Sequence, residues 1–424
     1  MIKKILILFF IVTTCLSAQV KYDDYFYNKQ LRLDYFHTGN ADSDSYSFDE
    51  LIEEPYWGGS KINLIDTIGY GNFMFYVYDL KTNNLIYSRG YSSLFQEWQT
   101  TEEAKIFDRT FTEILVFPYP KDSIRVEIHN RDSKNKFQKR KEFLIDPNSY
   151  FVKKEKLNSA EKFDIHISGE SEKKLDIVLL SEGYTKDEME NFEKDCKIFA
   201  NTLFEYEPFY SLRENINIWG VKAISEDSGV DIPGDSVWKN TALNSTFYTF
   251  DSERYLMTMD NKSVRNYASN VPYDQIYILV NTEKYGGGAI FNYYSTAASN
   301  NTYSKKIYIH EFGHGLAGLA DEYYTSDVAY QNFYPHDVEP WEPNITTLVN
   351  FESKWKNLLD PNIKIPTDSE GKDKLDLGVF EGGGYVEKGV YRPTISSLMK
   401  GWDIDEFNEV CKLAIEKIIK FYSE

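Results

Sequence analysis

The feature that most constrains this chain is the sequence His-Glu-Phe-Gly-His at residues 310–314, which places two histidines four positions apart. On an α-helix, positions i and i+4 lie on the same face, so both imidazoles can point at one metal ion. Glu311 follows the first histidine and can reach a water molecule beside that ion. The chain has only 6 histidines among 424 residues, so chance seldom produces this spacing. The pattern predicts a zinc-binding helix, and the alternative is a helix with two structural histidines.

A catalytic zinc ion usually has three protein ligands and leaves its fourth position to water. If the helix continued past His314, Asp321 would lie on nearly the same face but about 10 Å further along the axis, at 1.5 Å per residue. A zinc–oxygen bond is only about 2 Å long, so the helix must end before Asp321 can bind the same ion. Gly318 is a suitable end point, because glycine readily adopts the left-handed conformation that terminates helices. The predicted metal ligands are therefore His310, His314 and Asp321.

Two other residues compete with Asp321 for the third position. Glu322 is adjacent in the sequence, and His336 lies in a Tyr-Pro-His-Asp loop. Asp321 has its own structural alternative, as an acidic turn residue that accepts hydrogen bonds from the backbone.

The residues around this motif carry a family resemblance. The sequence from 310 to 314, continued by Ala-Gly-Leu-Ala-Asp-Glu-Tyr at 317–323, resembles the M64 peptidase family, often named IgA peptidases. It is also similar to the metzincin pattern His-Glu-x-x-His-x-x-Gly-x-x-His. It departs from that pattern in having Asp321 at the third position and one extra residue before the glycine. The resemblance implies a zinc metallopeptidase in which Glu311 is the general base.

A second metzincin element is the segment that ends at Met399, which resembles the turn whose methionine packs beneath the metal-binding histidines. A methionine after a loop is ordinarily a residue of the hydrophobic core, so this segment supports a metal site only in combination with the upstream His-Glu-x-x-His motif. A tyrosine that follows the methionine in some metzincins is absent, because Lys400 stands there. Tyr391, Arg392 or Tyr323 could stabilise the oxyanion in its place.

The N-terminus predicts export. Residues 1–18 contain two lysines, a short apolar run and small residues, which is the composition of a secretory signal peptide. Cleavage after Ala18 is expected to leave Gln19 first, and lipoprotein attachment through Cys15 is the weaker alternative, since Thr14 precedes that cysteine. No other segment is long and apolar enough to span a membrane. The formal charge of −19 argues against binding nucleic acid or anionic membranes.

The residues that follow the signal peptide predict a β-sandwich over 19–150. Residues 31–36 alternate between apolar and polar types, and 72–80 with 85–89 form a hairpin pattern. No long helical period appears, which favours a sandwich of two sheets. The charged stretch 151–165 is interpreted as a linker.

The catalytic domain is expected over 166–424, where strand and helix patterns alternate. Residues 175–180 and 276–280 are apolar runs typical of buried strands. The segment 289–295 is the candidate edge strand beside the metal helix, where an extended substrate could pair with it, and the alternative is an ordinary glycine hairpin. The predicted fold class is therefore α+β, a sandwich followed by a metzincin-like α/β domain.

The function that these patterns favour is an exported zinc endopeptidase whose substrate is a protein or peptide, with a host glycoprotein suggested by the family name. Two alternatives use the same residues differently. One is a zinc amidase or deacetylase acting on cell-wall or glycan amides, and the other is a secreted binding protein with a structural metal. The residues that choose a substrate lie outside the motif.

Overall fold

A computed structural model of the protein describes residues 19–154, 159–324 and 334–424. The predicted signal peptide, residues 1–18, lies outside these ranges. The helices of the described residues are α1 Tyr22–Tyr25, α2 Leu94–Gln99, α3 Met189–Leu203, α4 Asn261–Ala268, α5 Ser304–Ala317 and α6 Glu409–Ser423. Among the residues so described, none of the helices combines the length and apolar character needed to cross a bilayer.

The strands fall into two groups along the chain. Those of the N-terminal half are β1 Phe26–Gly39, β2 Asp44–Glu54, β3 Phe73–Asp79, β4 Leu85–Tyr91, β5 Arg109–Pro120, β6 Ile124–Arg131, β7 Phe137–Ile145 and β8 Val152–Lys153. Those of the C-terminal half are β9 Lys162–His166, β10 Leu175–Glu182, β11 Ile216–Val221, β12 Ser245–Thr246, β13 Met257–Thr258, β14 Gln275–Val280, β15 Gly287–Ile290, β16 Tyr294–Ala298, β17 Phe380–Gly383 and β18 Val386–Arg392.

The N-terminal half is a β-sandwich, as predicted. One sheet has the strand order β5-β1-β2-β8 and the other has the order β4-β3-β6-β7. Alternate residues of β1 and β3 are buried together between the sheets, among them Leu31, Leu33, Phe73 and Phe75. This arrangement follows from the period of two that places successive strand side chains on opposite faces.

The C-terminal half is built on a mixed six-stranded sheet with the order β15-β16-β14-β10-β11-β9. The four central strands are parallel, and the edge strands β15 and β9 are antiparallel to their neighbours. Every residue of β10 is buried because both faces of the sheet are covered. Ile177 and Leu179 pack against α3, α5 and α6, whereas Val178 and Leu180 face the opposite side. The α+β class is thus confirmed.

The sandwich contributes side chains to this opposite side of the sheet. Leu94, Phe95 and Trp98 of α2 belong to the same apolar cluster as Val178 and Leu180 of β10. The two halves of the chain therefore share this cluster as a common hydrophobic core, whereas the cluster between the two sheets of the sandwich is separate.

The predicted linker, 151–165, proved too broad. Its first residues include β8, which pairs in parallel with β2 of the sandwich, and its last residues include most of β9, which pairs with β11 of the C-terminal sheet. The alternation in Lys162–His166 is that of a half-exposed edge strand, and its charged residues obscured the pattern. The crossing between the two halves lies between these strands.

The predicted edge strand was displaced by a few residues. The edge of the sheet is β15, Gly287–Ile290, and the range 289–295 instead covers its end, a turn and the start of β16. Two glycines begin the edge strand, and glycine is a poor strand signal in a sequence.

Candidate metal centre

Helix α5 carries the His-Glu-Phe-Gly-His motif. Its apolar face, which includes Ile307, Phe312 and Leu316, is buried in the core against the sheet. The other face leaves His310, Glu311 and His314 partly exposed. The spacing of four residues brings the two Nε2 atoms to 3.2 Å from each other, as the helical geometry requires.

The helix ends where the sequence predicted. Gly318 adopts a left-handed conformation, with φ +59°, and its amide donates a hydrogen bond of 2.9 Å to the carbonyl of His314. A Cβ atom at this position would lie 2.5 Å from the ring of Trp341, so the turn requires a residue without a side chain. Beyond the turn, the amide of Ala320 donates to Asn344 Oδ1 at 2.7 Å. These contacts bring Asp321 back over the histidines.

Three ligand atoms converge at this point. Asp321 Oδ1 lies 3.2 Å from His310 Nε2 and 3.4 Å from His314 Nε2. A tetrahedral ion bound at about 2.0–2.1 Å would hold its ligands about 3.3–3.4 Å apart. Oδ1 of Asp321 is buried and accepts no hydrogen bond from the described residues, which an ion would remedy. The residues therefore fit a divalent metal ion with two nitrogen ligands and one oxygen ligand.

The other atom of each ligand is held by the protein. His310 Nδ1 donates to the carbonyl of Leu398 at 3.1 Å, and His314 Nδ1 donates to the carbonyl of Leu319 at 2.6 Å. Because a carbonyl can only accept, Nδ1 carries the proton in both rings and Nε2 can direct its lone pair at a metal. Asp321 Oδ2 accepts a hydrogen bond from the hydroxyl of Tyr385.

The electrostatics of the three residues are strongly coupled. Burial acts to raise the pKa of Asp321, but His314 and His310 hold it well below its usual range. Burial acts to lower the pKa of His314, but Asp321 and Glu311 raise it to about 9. A metal ion must therefore displace a proton from this histidine at neutral pH, whereas the aspartate is already ionised.

Glu311 lies beside this group with its carboxylate free. The carboxylate makes no hydrogen bond with the described residues, and a Cβ atom at Gly287 of β15 would lie 3.1 Å from the Cγ of Glu311. Burial raises the pKa of Glu311, the two histidines and Arg254 lower it, and the net direction is upward. A carboxylate with a raised pKa next to a metal site has the properties of a general base.

Met399 packs beneath the metal helix. Its side chain is fully buried, and a Cβ atom at Gly313 would lie 3.0 Å from its sulfur. The preceding residue, Leu398, supplies the carbonyl that orients His310. The segment thus supports both the helix and one of the imidazoles.

The two residues considered as rival ligands lie elsewhere. Both oxygens of Glu322 are occupied, Oε2 by Ser397 at 2.6 Å and Oε1 by Asn344 at 3.0 Å and Asn408 at 2.8 Å. His336 is exposed, and its ring lies against Gly389. Neither belongs to the group of ligand atoms that converges on Asp321.

The candidates for oxyanion stabilisation differ in position. Tyr391 packs in an apolar cluster with Phe351 and Trp355, and Arg392 donates to the carbonyls of Glu381 and Gly382 at 2.8 and 2.6 Å. These contacts hold the Tyr391 ring against Phe351 and Trp355 and the Arg392 guanidinium at β17.

Tyr323 does lie at the site, because its ring centre is 5.2 Å from that of Tyr385. Tyr385 itself had no distinguishing pattern in the sequence, apart from three preceding glycines. Its role as the partner of Asp321 depends on a contact across 64 residues.

A second group of acidic side chains, Asp34, Asp49 and Glu50, lies near the boundary between the two halves. Arg32 pairs with the first at 2.6 Å, and Lys262 pairs with the other two at 2.5 and 2.7 Å. These cations already compensate the carboxylates, in contrast to the orphaned oxygen of Asp321.

Comparison with known families agrees with the geometry. The family model described as IgA Peptidase M64 matches residues 163–376 and 368–419, and the model described as Peptidase M64 N-terminus matches residues 21–142. No curated protein matches the chain. The peptidase model alone covers more than half of the sequence and includes the convergent His310, His314 and Asp321. The chain therefore belongs to the M64 peptidase family and is a metallopeptidase.

Proposed function

We propose that this metallopeptidase is an exported zinc endopeptidase in which His310, His314 and Asp321 hold the ion and Glu311 is the general base. The observation that carries the proposal is the 3.2–3.4 Å spacing of three potential ligand atoms, one of which is a buried carboxylate oxygen with no hydrogen bond from the residues that the structure describes. Two imidazole nitrogens and one carboxylate oxygen form a ligand set that suits zinc. When bound, such an ion supplies Lewis-acid polarisation of the scissile carbonyl and makes a water molecule more acidic.

The protein's own residues would then move the proton. Glu311 accepts it from the attacking water and delivers it to the leaving amine, a role that its raised pKa supports. Tyr385 holds Asp321 through Oδ2 and so fixes the direction in which Oδ1 points. Tyr323, at the same site, is the nearest of the predicted candidates for a donor to the developing oxyanion.

The substrate that fits this arrangement is an extended stretch of polypeptide. Strand β15 is the edge of the sheet and runs beside Glu311, so a substrate segment can add to it by backbone hydrogen bonds. The family description names IgA, and a host glycoprotein is therefore the first protein to test as a substrate. Export rests on the composition of residues 1–18.

The experiment that tests this proposal uses the chain from Gln19 onward, purified and loaded with zinc. It is incubated with a peptide library and with IgA, with and without a chelator, beside a Glu311→Gln variant. Cleavage should require the metal, and the variant should be slower by about 10³-fold or more, since general bases contribute about 10²–10⁴-fold.

The matched control is Glu190→Gln, which changes an exposed carboxylate on α3 and should leave the rate unchanged. Metal content, measured by mass spectrometry, should equal one zinc per chain in both variants. Chelator-resistant cleavage, or full activity of the Glu311→Gln variant, would contradict the proposed mechanism.

A further inference from the structure

At the beginning of the edge strand β15, the backbone groups that face away from β16 are already hydrogen-bonded. The amide of Ala298 donates to the carbonyl of Gly286 at 3.1 Å, so the backbone groups of Gly286 face the partner strand β16. This contact determines which residues of β15 face β16 and which face away from it. In an antiparallel ladder, alternate residues turn their amide and carbonyl groups away from the partner strand. Gly287 and Ala289 are therefore the residues of β15 whose backbone groups face outward.

The outward groups of Gly287 are already bonded. Its amide donates to the carbonyl of Arg254 at 3.3 Å, and its carbonyl accepts from the amide of Leu256 at 3.2 Å. We call residues 254–256 the closing segment, because they cover the beginning of the edge strand. Ala289 is left as the residue of β15 with outward backbone groups that this segment does not reach.

The closing segment is anchored to the N-terminal sandwich. Tyr255 donates a hydrogen bond from its hydroxyl to Glu97 of α2. Its ring lies against β15, where a Cβ atom at Gly288 would be 2.5 Å away. The segment is thus held between the two halves of the molecule.

The direction of a bound substrate follows from the pairing. Antiparallel pairs are the commoner kind, and a substrate that runs antiparallel to β15 has its C-terminal side towards the beginning of that strand. Glu311 lies beside Gly287, so the residues on the leaving-group side of the scissile bond extend towards the closing segment. The first charged side chain of that segment is Arg254.

The guanidinium of Arg254 is available to bind an anionic ligand. The side chain is exposed and forms no hydrogen bond or ion pair with the described residues, in a chain whose acidic residues outnumber its basic ones by 66 to 47. The adjacent Glu253 is occupied by Lys284 at 2.8 Å. Burial and Glu311 raise the pKa of Tyr285 while Arg254 lowers it, so the guanidinium and the site carboxylate act on the same phenol.

We propose that Arg254 is a specificity-determining residue that selects substrates with a carboxylate on the leaving-group side of the scissile bond. A guanidinium binds a carboxylate through two parallel hydrogen bonds, which gives geometric selection as well as attraction. The carboxylate is either the side chain of an acidic residue or the free C-terminus of a short peptide. This inference rests on the proposed peptidase function and deepens it by naming the substrate class.

The test uses the zinc-loaded chain from Gln19 and a set of quenched fluorescent peptides with one fixed sequence before the scissile bond. After that bond, the peptides carry glutamate, glutamine or lysine, and each is made with a free C-terminal carboxylate and with an amide. For at least one carboxylate source, kcat/KM should exceed that of the neutral peptide by about tenfold or more, as for a charge-assisted hydrogen bond. The comparison between the glutamate amide and the glutamine acid identifies the source.

The variants are Arg254→Ala and Arg254→Glu, with Arg213→Ala as the matched control because Arg213 is an exposed arginine near the start of β11. The alanine variant should lose the carboxylate preference, so that it cleaves the carboxylate-bearing and the neutral peptide with equal kcat/KM, and the glutamate variant should favour lysine. The control should keep the preference. Binding of the same peptides to Glu311→Gln, measured by calorimetry, should show the same order without turnover.

The outcomes separate this inference from the function on which it rests. A wild-type enzyme that cleaves the peptides without a carboxylate preference overturns the role of Arg254 alone, as does a preference that survives in Arg254→Ala. If the wild-type protein cleaves none of the peptides and Glu311→Gln binds none of them, the peptidase proposal fails and this inference fails with it. Binding that prefers a carboxylate through Arg254 in the absence of cleavage upholds the inference and counts against the proposed catalysis.

Discussion

Asp321 and Glu322 are adjacent carboxylates that serve two different regions of the molecule. Both are buried, yet Asp321 Oδ1, which lies beside two imidazoles, accepts no hydrogen bond from the described part of the chain, whereas both oxygens of Glu322 accept hydrogen bonds. The first belongs to the proposed metal centre, which we define as His310, His314 and Asp321. The two residues differ in the hydrogen bonding of their carboxylates rather than in their burial, and this difference is what separates the proposed ligand from a structural acid.

The backbone separates the two side chains. The amide of Glu322 donates to the carbonyl of Met399 at 2.8 Å, and the carbonyl of Asp321 accepts from the amide of Gly384 at 2.8 Å. The segment that contains Met399 thus holds the backbone of Glu322, and the segment that contains Gly384 holds the backbone of Asp321. Glu322 joins Asn344, Ser397 and Asn408 in a buried polar group that we call the Glu322 cluster.

The largest effect is expected from Glu322→Ala, which should lower the free energy of unfolding by about 3–5 kcal/mol, because it leaves several buried donors unpaired and opens a cavity. Denaturant titration of the metal-free protein measures this loss. Glu322→Gln keeps one acceptor oxygen and should cost less. A loss below about 1 kcal/mol for the alanine variant would contradict the structural role of the cluster.

Asp321→Ala should act on the metal instead. Zinc affinity is expected to fall by more than about 100-fold, since loss of an outer partner alone typically costs 10–100-fold. Competition with a chromophoric chelator measures the affinity, and denaturation of the metal-free variant should show a smaller loss of stability than Glu322→Ala. Unchanged zinc affinity would remove Asp321 from the metal centre.

Tyr385→Phe tests the contact that holds the ligand. Removal of the Tyr385 hydroxyl takes away the hydrogen bond that Asp321 Oδ2 accepts. Zinc affinity should therefore fall by about 10–100-fold, with the fold retained. The control is Tyr391→Phe, since Tyr391 packs in an apolar cluster and should not influence zinc. Equal affinities for the two variants would show that Tyr385 does not position the aspartate.

Gly318→Ala should have the smallest effect of these substitutions, a modest decrease in the free energy of unfolding. A left-handed conformation costs a residue with a Cβ atom about 1–2 kcal/mol. Gly371→Ala is the matched control, because Gly371 has φ +73° and no atom lies within 4 Å of the position of its Cβ. The difference in unfolding free energy between the two variants isolates the contact with Trp341, and only Gly318→Ala should also weaken zinc binding. Identical behaviour would mean that the turn tolerates a side chain.

The local part of this site was accessible from the sequence because its signals lie within twelve residues. The spacing of His310 and His314, the break at Gly318 and the return to Asp321 follow from helix geometry and from the conformation of glycine. The fold class followed from strand alternation in one half and from alternating strand and helix patterns in the other. The ligand roles themselves remain proposals that the variants above test.

The supporting contacts were not accessible, because they join residues far apart in the chain. Tyr385 contacts Asp321 across 64 residues, and the carbonyl of Leu398 contacts His310 across 88. Tyr385 was not among the candidates for oxyanion stabilisation, and Tyr391, which was one of them, packs in an apolar cluster instead. The linker was placed too broadly because the edge strand β9 carries charged residues that mimic an irregular segment.

The shared core has a consequence for anyone who wishes to shorten this enzyme. A chain trimmed to the peptidase match would begin at residue 163 and would lack Phe95 and Trp98, which are fully buried against the C-terminal sheet. The apolar residues of the C-terminal half that share this cluster would then lose part of their cover, and an exposed apolar face promotes aggregation. The smallest transplantable form of this active site therefore includes the sandwich, and a graft of the metal helix and its turn into another host would need a substitute for that cover.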